Sequence, residues 1–295
     1  MIGRSVDTGS RSFWALVGIS LVLRAVVAYG VCCLAMVVWT VIRDDGPTAL
    51  WTSRSDLIPG VLILVLTVAG LLAGTWSLGR SLWHTCLFGR DLSRHRTVVP
   101  AELQSLAGRL GIGAQIRVVA ASRPFAFTYG IAQPRVLVST GLLKALTERE
   151  LAAVLTHERA HVRGRDPLKT LFAGAIPARH FYVPGLVRLR HRFTAGRELA
   201  ADRAAIAAHG TAALASSLLK VSEGPAWARS VPAAAMASDA LLAMRITQLE
   251  TAAEPQQPRA GTLARIGTAT SVLAFVAACA WSAVVVAQAM PGCMP

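Results

Sequence analysis

The chain has 295 residues, a length that suits one medium-sized or two small domains. Hydrophobic residues make up 54% of it and charged residues only 16%, whereas about 25% is usual in soluble domains, so the composition argues against a wholly soluble protein. The formal net charge of +14 favours anionic lipid or nucleic acid as a partner without separating the two. The five cysteines form no CxxC pair, which argues against a cysteine zinc site.

Three long apolar runs predict membrane-spanning helices. The first, Phe13 to Ile42, is interrupted only by Arg24 and can span from about residue 25 to 42, with Arg24 reaching the interface. The second, Leu57 to Gly79, and the third, Ile266 to Met290, carry no charge and are long enough to cross about 30 Å of hydrocarbon. Buried core helices are the alternative, and the first run could also be a signal peptide. Length and the lack of charge favour retained membrane helices.

Basic residues predict the orientation of these helices. Arginines predominate before the first run and after the second, whereas aspartates balance them in the short loop between the two. The N-terminus and the region after Arg80 are therefore expected in the cytoplasm. This gives four predicted regions: a membrane region at 1–98 with helices at about 25–42 and 57–79, a cytoplasmic domain at 99–250, a linker at 251–265 and a third transmembrane helix at 266–290.

Short elements are predicted at the start of the cytoplasmic domain. Ala101 to Leu110 is expected to be a helix opened by Pro100, and three short runs are expected to be strands. These runs are Ile116–Ala120, Phe125–Tyr129 and Arg135–Ser139. The last of them is a candidate for edge pairing with an extended substrate.

The stretch "TEREL" predicts the start of a longer helix. Thr147 and Glu150 fit a capping box, and Leu146 with Leu151 fits a hydrophobic staple. The helix should run to about Val162, with Gly164 as its stop.

This helix carries "LTHERAH", in which His157 and His161 are four residues apart and share one helix face. Two imidazoles on one face can coordinate one zinc ion, and Glu158 can reach a water beside it, as in the H-E-x-x-H motif. The alternative is a surface helix with two solvated histidines. Zinc needs a third protein ligand, and "GRELAADRAA" offers Glu198 for that role. Asp202, four residues later, is placed to hydrogen-bond a ligand histidine.

The segments "TERELAAVLTHERAHVRGRDPL" and "RELAADRAAI" resemble the integral-membrane zinc metallopeptidases of the BlaR/MecR antirepressor type, as do "PFAFTYGIAQPRVLVSTGLL" and "FYVPGL". The resemblance implies an α+β, gluzincin-like metallopeptidase domain embedded between transmembrane helices, mostly helical overall. It implies one Zn²⁺ per chain, bound by His157, His161 and Glu198, with Glu158 catalytic and Asp202 in support. HtpX-type membrane metallopeptidases share both helical motifs and are the nearest rival.

The β-lactam sensors of the first family carry a large extracellular sensor domain after the last membrane helix. Only Pro291 to Pro295 follow the third apolar run, so the expectation is a short member without that domain.

The expected function is therefore that of a zinc endopeptidase in a bacterial plasma membrane, multi-pass, with its active site at the cytoplasmic face. The family implies regulated proteolysis of a protein or peptide, with a DNA-binding repressor as a candidate substrate. A quality-control protease and a non-proteolytic signalling scaffold are the alternatives. The lipid bilayer is an expected partner, direct nucleic-acid binding is not expected, and assembly into a homo-oligomer stays open.

One segment tests the zinc hypothesis. Leu171 to Val187 is fairly apolar, but a single membrane crossing there would separate Glu198 from the two histidines. We therefore expect this segment to be buried or to dip into the membrane without crossing it.

Overall fold

Ten α-helices and one four-stranded sheet make up the part of the chain that the computed structural model describes, residues 8–48, 54–221, 239–251, 255 and 262–289. The helices are α1 (Thr8–Asp45), α2 (Arg54–His95), α3 (Ala101–Arg109), α4 (Thr140–Ala145), α5 (Glu148–Gly164), α6 (Asp166–Arg179), α7 (Pro184–His209), α8 (Thr211–Lys220), α9 (Asp239–Thr251) and α10 (Thr262–Ala289). The strands are β1 (Arg96–Thr97), β2 (Ile116–Val119), β3 (Ala126–Tyr129) and β4 (Arg135–Ser139). The predicted fold class, α+β and mostly helical, is confirmed.

The described residues form two compact units. Those within 1–13, 77–174 and 190–258 form the unit that contains the sheet, named here the sheet unit. Those within 14–76, 175–189 and 259–295 form the second, named here the apolar unit. The predicted division at 1–98, 99–250, 251–265 and 266–290 stays a prediction, and most of the predicted linker lies outside the described residues.

Helices α1 and α2 are long and apolar enough to cross a membrane, over Gly9–Asp44 and Gly60–Leu92. Large apolar side chains on them remain exposed: Trp39 is 67% exposed and Trp76 is 75% exposed. A core helix of a soluble protein would bury such side chains, so these two helices suit a lipid environment. The third predicted run falls on α10, where the apolar stretch found among the described residues, Arg265–Ala278, is shorter. A third crossing therefore stays a prediction.

The sheet has the strand order β1-β2-β4-β3. Strands β2 and β4 are parallel, whereas β1 and β3 pair antiparallel with them on the outside. The three predicted strands are confirmed as β2, β3 and β4, with small shifts at their ends. Because β4 lies between two partners, the predicted edge pairing of a substrate with Arg135–Ser139 is wrong. The strand on the outer side of β4 is β3, and β3 forms that edge of the described sheet.

Helix α5 begins and packs as the sequence predicts. Thr147 accepts a hydrogen bond from the backbone of Glu150, and the Glu150 carboxylate accepts one from the backbone of Thr147. Leu146 and Leu151 are buried in one cluster with Val154, Leu155 and apolar residues of β2 and β4. This packing fixes the apolar face of α5 against the sheet.

The end of α5 differs in detail from the prediction. Gly164 is the last helical residue, and the left-handed residue that follows is Arg165, with φ 51° and ψ 41°. Gly164 matters for a different reason, because a Cβ there would lie 2.6 Å from Oδ1 of Asp166. The absent side chain leaves room for the Asp166 carboxylate.

Glu150 also ties α8 to the first turn of α5. Lys220, the last residue of α8, donates from Nζ to both carboxylate oxygens, at 2.7 and 2.8 Å, and the Ser216 hydroxyl donates to Oε1. The bonds from Lys220, Ser216 and the Thr147 backbone lower the pKa of Glu150 from 4.5 to about 2. The Glu150 carboxylate is therefore ionised, and paired with Lys220, across the whole physiological pH range.

We expect the contacts of Glu150 with Lys220 and Ser216 to stabilise the folded chain at neutral pH, and we expect this stabilisation to be lost in acid. A carboxyl group with a depressed folded-state pKa stabilises fully above about pH 4.5 and loses the effect as the pH falls towards 2. Thermal unfolding of the detergent-purified chain between pH 7 and 3 should show a smaller acid loss in Glu150→Gln than in the parent. Exposed Glu102 provides the matched Glu102→Gln control, and an equal acid loss in all three proteins would contradict the assignment.

Residues 171–187, which could cross the membrane only if the zinc hypothesis were wrong, belong to two helices joined by a turn. Helix α6 ends at Arg179 and α7 begins at Pro184. His180 in the turn is buried, with Nε2 3.0 Å from Ser20 Oγ of α1 and Nδ1 3.1 Å from the Tyr182 hydroxyl. Among the described residues, the candidate membrane spans are those in α1 and α2. The expectation that residues 171–187 do not cross the membrane once stays a prediction.

Candidate metal centre

Helices α5 and α7 bring three potential metal ligands together in the sheet unit. Nε2 of His157 and Nε2 of His161 are 3.1 Å apart. The Glu198 carboxylate faces both, with Oε2 3.5 Å from His157 Nε2 and Oε1 3.6 Å from His161 Nε2. The three residues offer donor atoms that all lie within 4.8 Å of one another.

This arrangement fits a tetrahedral zinc ion. Donors about 2.0–2.1 Å from such an ion lie roughly 3.3 Å apart. The distance between the two imidazole nitrogens, and the distance from each of them to a Glu198 oxygen, are close to this value. Two imidazoles and one carboxylate are a ligand set that zinc uses, and three protein ligands leave one position open. His157 and His161 are each 7% exposed, so the donors are largely shielded from solvent.

Each histidine is oriented by a carboxylate at its other ring nitrogen. Nδ1 of His157 lies 2.9 Å from Oδ1 of Asp202, and Nδ1 of His161 lies 2.7 Å from Oδ2 of Asp166. Both aspartates are buried. A proton held on each Nδ1 leaves Nε2 as a lone-pair donor towards the centre, which is the usual arrangement of zinc-binding histidines.

Two arginines complete the surroundings. Arg245 of α9 donates through Nε and Nη2 to both oxygens of Asp202, each at 2.7 Å, and its Nη1 lies 4.0 Å from Glu198 Oε2. Arg197 lies beside Glu198, with Nη2 3.3 Å from Oε1, and it donates from Nη1 to Thr170. Both guanidinium groups hold the carboxylates in fixed positions.

Negative side chains outnumber positive ones around the three donor residues. With neutral imidazoles, the carboxylates of Glu158, Asp166, Glu198 and Asp202 outnumber the guanidinium groups of Arg197 and Arg245 by two. One divalent cation would balance this excess. The charge count therefore agrees with the donor geometry.

The same excess shifts the protonation of the site. Burial opposes a charged His157 imidazolium, but the bonds to Asp202 and Glu198 raise the pKa of His157 to about 10. Burial also opposes ionisation of Glu198 and Asp202, yet the neighbouring imidazoles and guanidinium groups hold the pKa of both carboxyl groups below the ordinary value. The pocket thus attracts positive charge, and metal binding would displace a proton.

Glu158 is the remaining carboxylate of the motif, and β3 fixes its position. The Thr128 hydroxyl lies 2.7 Å from Glu158 Oε2 and 3.2 Å from the Glu158 backbone oxygen. Glu158 is 7% exposed. A buried carboxylate that directly follows a candidate ligand histidine on the same helix is suited to carry a proton to and from a reacting group.

The structure thus brings together His157, His161, Glu198 and Asp202, and Glu158 follows His157 directly on α5. The roles of these residues as ligands and proton carrier stay predictions. The structure also adds four that the sequence analysis did not identify: Thr128, Asp166, Arg197 and Arg245. The sequence could have indicated Asp166, because it follows the motif helix directly in "GRDPL". It could not have indicated Arg245, because 43 residues separate Arg245 from Asp202.

Comparisons with known proteins agree with this geometry. A family model described as BlaR1 peptidase M56 matches residues 47–249, more than half of the chain. Curated relatives called protease HtpX homolog match as well. Those of Ralstonia nicotianae and Thermoplasma acidophilum are each 40% identical, over 83 and 70 residues, and that of Bordetella pertussis is 43% identical over 77 residues.

These matches to the relatives are local. They cover 26%, 23% and 25% of this chain and 29%, 22% and 26% of the respective relatives. The chain thus spans less than a third of the length of the curated relatives it matches. Both resemblances predicted from the motif residues are nevertheless confirmed.

Proposed function

Because the chain belongs to the BlaR1 peptidase M56 family, we propose that it is an integral-membrane zinc-dependent endopeptidase. The observation that carries the proposal is the cluster of His157, His161 and Glu198. Glu158 follows His157 on the same helix, and Thr128 hydrogen-bonds its carboxylate. Zinc fits this cluster because its donor types and spacing match a tetrahedral site with one position left open. We assign one zinc ion to each chain.

The residues of this chain then have separate roles in peptide hydrolysis. When bound, zinc supplies Lewis acidity, which polarises a carbonyl group and makes water a stronger acid. His157, His161 and Glu198 hold the ion, while Asp202 and Asp166 keep the imidazoles oriented. Glu158 accepts a proton from the attacking water and delivers it to the leaving amine.

The free edge of β3 is the proposed place for the substrate backbone. Strand β3 carries Thr128, whose hydroxyl contacts the Glu158 carboxylate. An extended peptide that pairs with an exposed strand edge satisfies its backbone hydrogen bonds and is held in a fixed register. A peptide on this edge would therefore lie near the proton carrier.

The proposed setting is a bacterial plasma membrane, with the catalytic domain in the cytoplasm. The apolar helices α1 and α2 support membrane insertion, and the distribution of arginines supports a cytoplasmic N-terminus. The proposal includes a membrane region at 1–98, a peptidase domain at 99–250, a linker at 251–265 and a third crossing at 266–290.

Two substrate classes fit a membrane endopeptidase of this kind. Regulated proteolysis, with a DNA-binding repressor as one candidate substrate, is favoured by the family match over residues 47–249. Clearance of damaged membrane proteins is favoured by the relatives called protease HtpX homolog. The breadth of cleavage separates them, because a regulatory protease should cut few sequences and a quality-control protease many.

We expect the full-length chain in mild detergent to cleave a peptide library derived from bacterial soluble and membrane proteins. Mass spectrometry of the products should show cleavage that stops with 1,10-phenanthroline and returns after zinc is added. Chelator-resistant cleavage would contradict a metal-dependent mechanism. A narrow set of products supports a regulatory role, and a broad set rich in membrane-derived peptides supports quality control.

A further inference from the structure

A cavity lies in the apolar unit. It has a volume of about 460 Å³ and is formed by α1, α2 and the turn after α6. Val27, Val31 and Leu66 contribute apolar wall, whereas Arg24 and Arg179 contribute charge. This size is in the range of small-molecule sites. The cavity combines a lipid-like wall with a cationic end.

Within the part of the chain that the structure describes, the two arginines have no acidic partner. None of the described residues that line the cavity is an aspartate or glutamate, and no described ion pair includes Arg24 or Arg179. Arg24 also interrupts the apolar run of α1. A charged residue in a membrane helix is costly unless it is paired or reaches a polar headgroup. These two guanidinium groups are therefore suited to bind an anionic headgroup.

The position of Arg179 is fixed by close packing against α2. A Cβ at Gly70 would collide with the Arg179 carbonyl oxygen, and one at Gly74 would lie 3.0 Å from the Arg179 Cβ. Gly70 and Gly74 form a G-x-x-x-G pair, which allows close approach in apolar helices. The turn is held further by the contact of buried His180 with Ser20. Arg179 therefore extends from a rigid backbone.

We infer that this cavity binds an anionic phospholipid. The phosphate lies between Arg24 and Arg179, and one acyl chain lies along the apolar wall of α1 and α2. Arginine is well suited to phosphate because its planar guanidinium can donate two parallel hydrogen bonds. A free phosphate ion would use only the cationic end, and a soluble acidic peptide would leave the apolar wall exposed to lipid. A phospholipid matches both parts.

The test is lipid retention by the full-length chain, measured by native mass spectrometry after exchange into detergent with equal amounts of phosphatidylglycerol and phosphatidylcholine. The parent should retain phosphatidylglycerol selectively. Arg24→Gln and Arg179→Gln should each lower this preference about fivefold, and together on the order of thirtyfold. Arg80→Gln, which removes an exposed arginine of α2 outside the cavity, is the matched control and should leave the preference unchanged.

A second variant keeps the test decisive if an arginine variant fails to fold. Ala28→Trp narrows the cavity without changing a charge, and Ala28 is exposed, so the helix itself should tolerate the change. Retention should fall in this variant as well. Retention of phosphatidylglycerol equal to that of the parent in Ala28→Trp and in both arginine variants would overturn the inference. Displacement of the lipid by millimolar inorganic phosphate would also overturn it, because a free anion would then suffice.

Discussion

Glu158→Gln is expected to remove peptide cleavage while leaving the metal in place. The substitution preserves size and shape, so the amide oxygen can still accept the hydrogen bond from Thr128. An amide cannot accept the proton of the attacking water, however, and general acid–base catalysis contributes about 10²–10⁴-fold to a rate. We expect a loss of at least this size in cleavage of the peptide library, with the zinc content of the purified chain unchanged.

The matched control for this experiment is Glu148→Gln. Glu148 lies on the same helix, but its side chain is 80% exposed and pairs with Arg109 at 3.0 Å. Its replacement should leave cleavage close to that of the parent. Full activity in a zinc-loaded Glu158→Gln variant would mean that another group carries the proton. If the Glu158→Gln variant kept its effect in cells, that effect would not depend on proteolysis, as the scaffold hypothesis predicts.

Thr128 explains why the Glu158 carboxylate has one orientation. Its hydroxyl has a single hydrogen with two acceptors in reach, and the shorter distance, 2.7 Å against 3.2 Å, favours the Glu158 carboxylate over the backbone oxygen. The remaining carboxylate oxygen is left available for a proton. The strand that supports the catalytic carboxylate is also the edge strand, so a change in the register of β3 would disturb both features.

The parts of the site that the sequence predicts are those set by local helix geometry. His157 with His161, and Glu198 with Asp202, are pairs four residues apart, and such pairs share a face in any helix. The capping box at Thr147 similarly depends on residues three apart. These features need no tertiary information, which is why they could be placed before the fold was described.

The parts that could not be predicted depend on tertiary geometry. Asp166 reaches His161 because Arg165 adopts a left-handed conformation, which is uncommon for a residue other than glycine. Arg245 reaches Asp202 because α9 packs against α7, where Gln248 donates to the Leu199 backbone oxygen. The wrong prediction about Arg135–Ser139 has a similar origin, since strand order is not encoded in any single strand.

Loss of a ligand should remove the metal more completely than loss of a supporting carboxylate. His157→Ala, His161→Ala and Glu198→Ala each delete a donor from a three-residue set, so zinc should be largely absent from these purified variants. His191→Ala, which removes an exposed histidine of α7, is the matched control and should retain about one zinc ion per chain. Zinc unaffected by the three ligand variants would place the ion elsewhere and would falsify the proposed site.

Asp166→Asn and Asp202→Asn should bind zinc about 10–100-fold more weakly than the parent, because partners of this kind orient and polarise the ligand imidazole. The amide oxygen of Asp166→Asn can still accept a hydrogen bond from Nδ1 of His161, so the loss in this variant reports mainly on charge. In Asp202→Asn the amide NH2 also faces a donor of Arg245, so one hydrogen bond is lost together with the charge. Competition with a chromogenic zinc chelator measures the zinc affinity, with Asp91→Asn, at a half-exposed position of α2, as control. The two variants should differ in how much zinc affinity they lose. Asp202 also neutralises Arg245 through two 2.7 Å bonds, so its asparagine variant leaves a guanidinium near Glu198 that opposes the cation. Asp202→Asn should therefore be the weaker binder, and equal losses would show that Arg245 has no electrostatic effect on the metal.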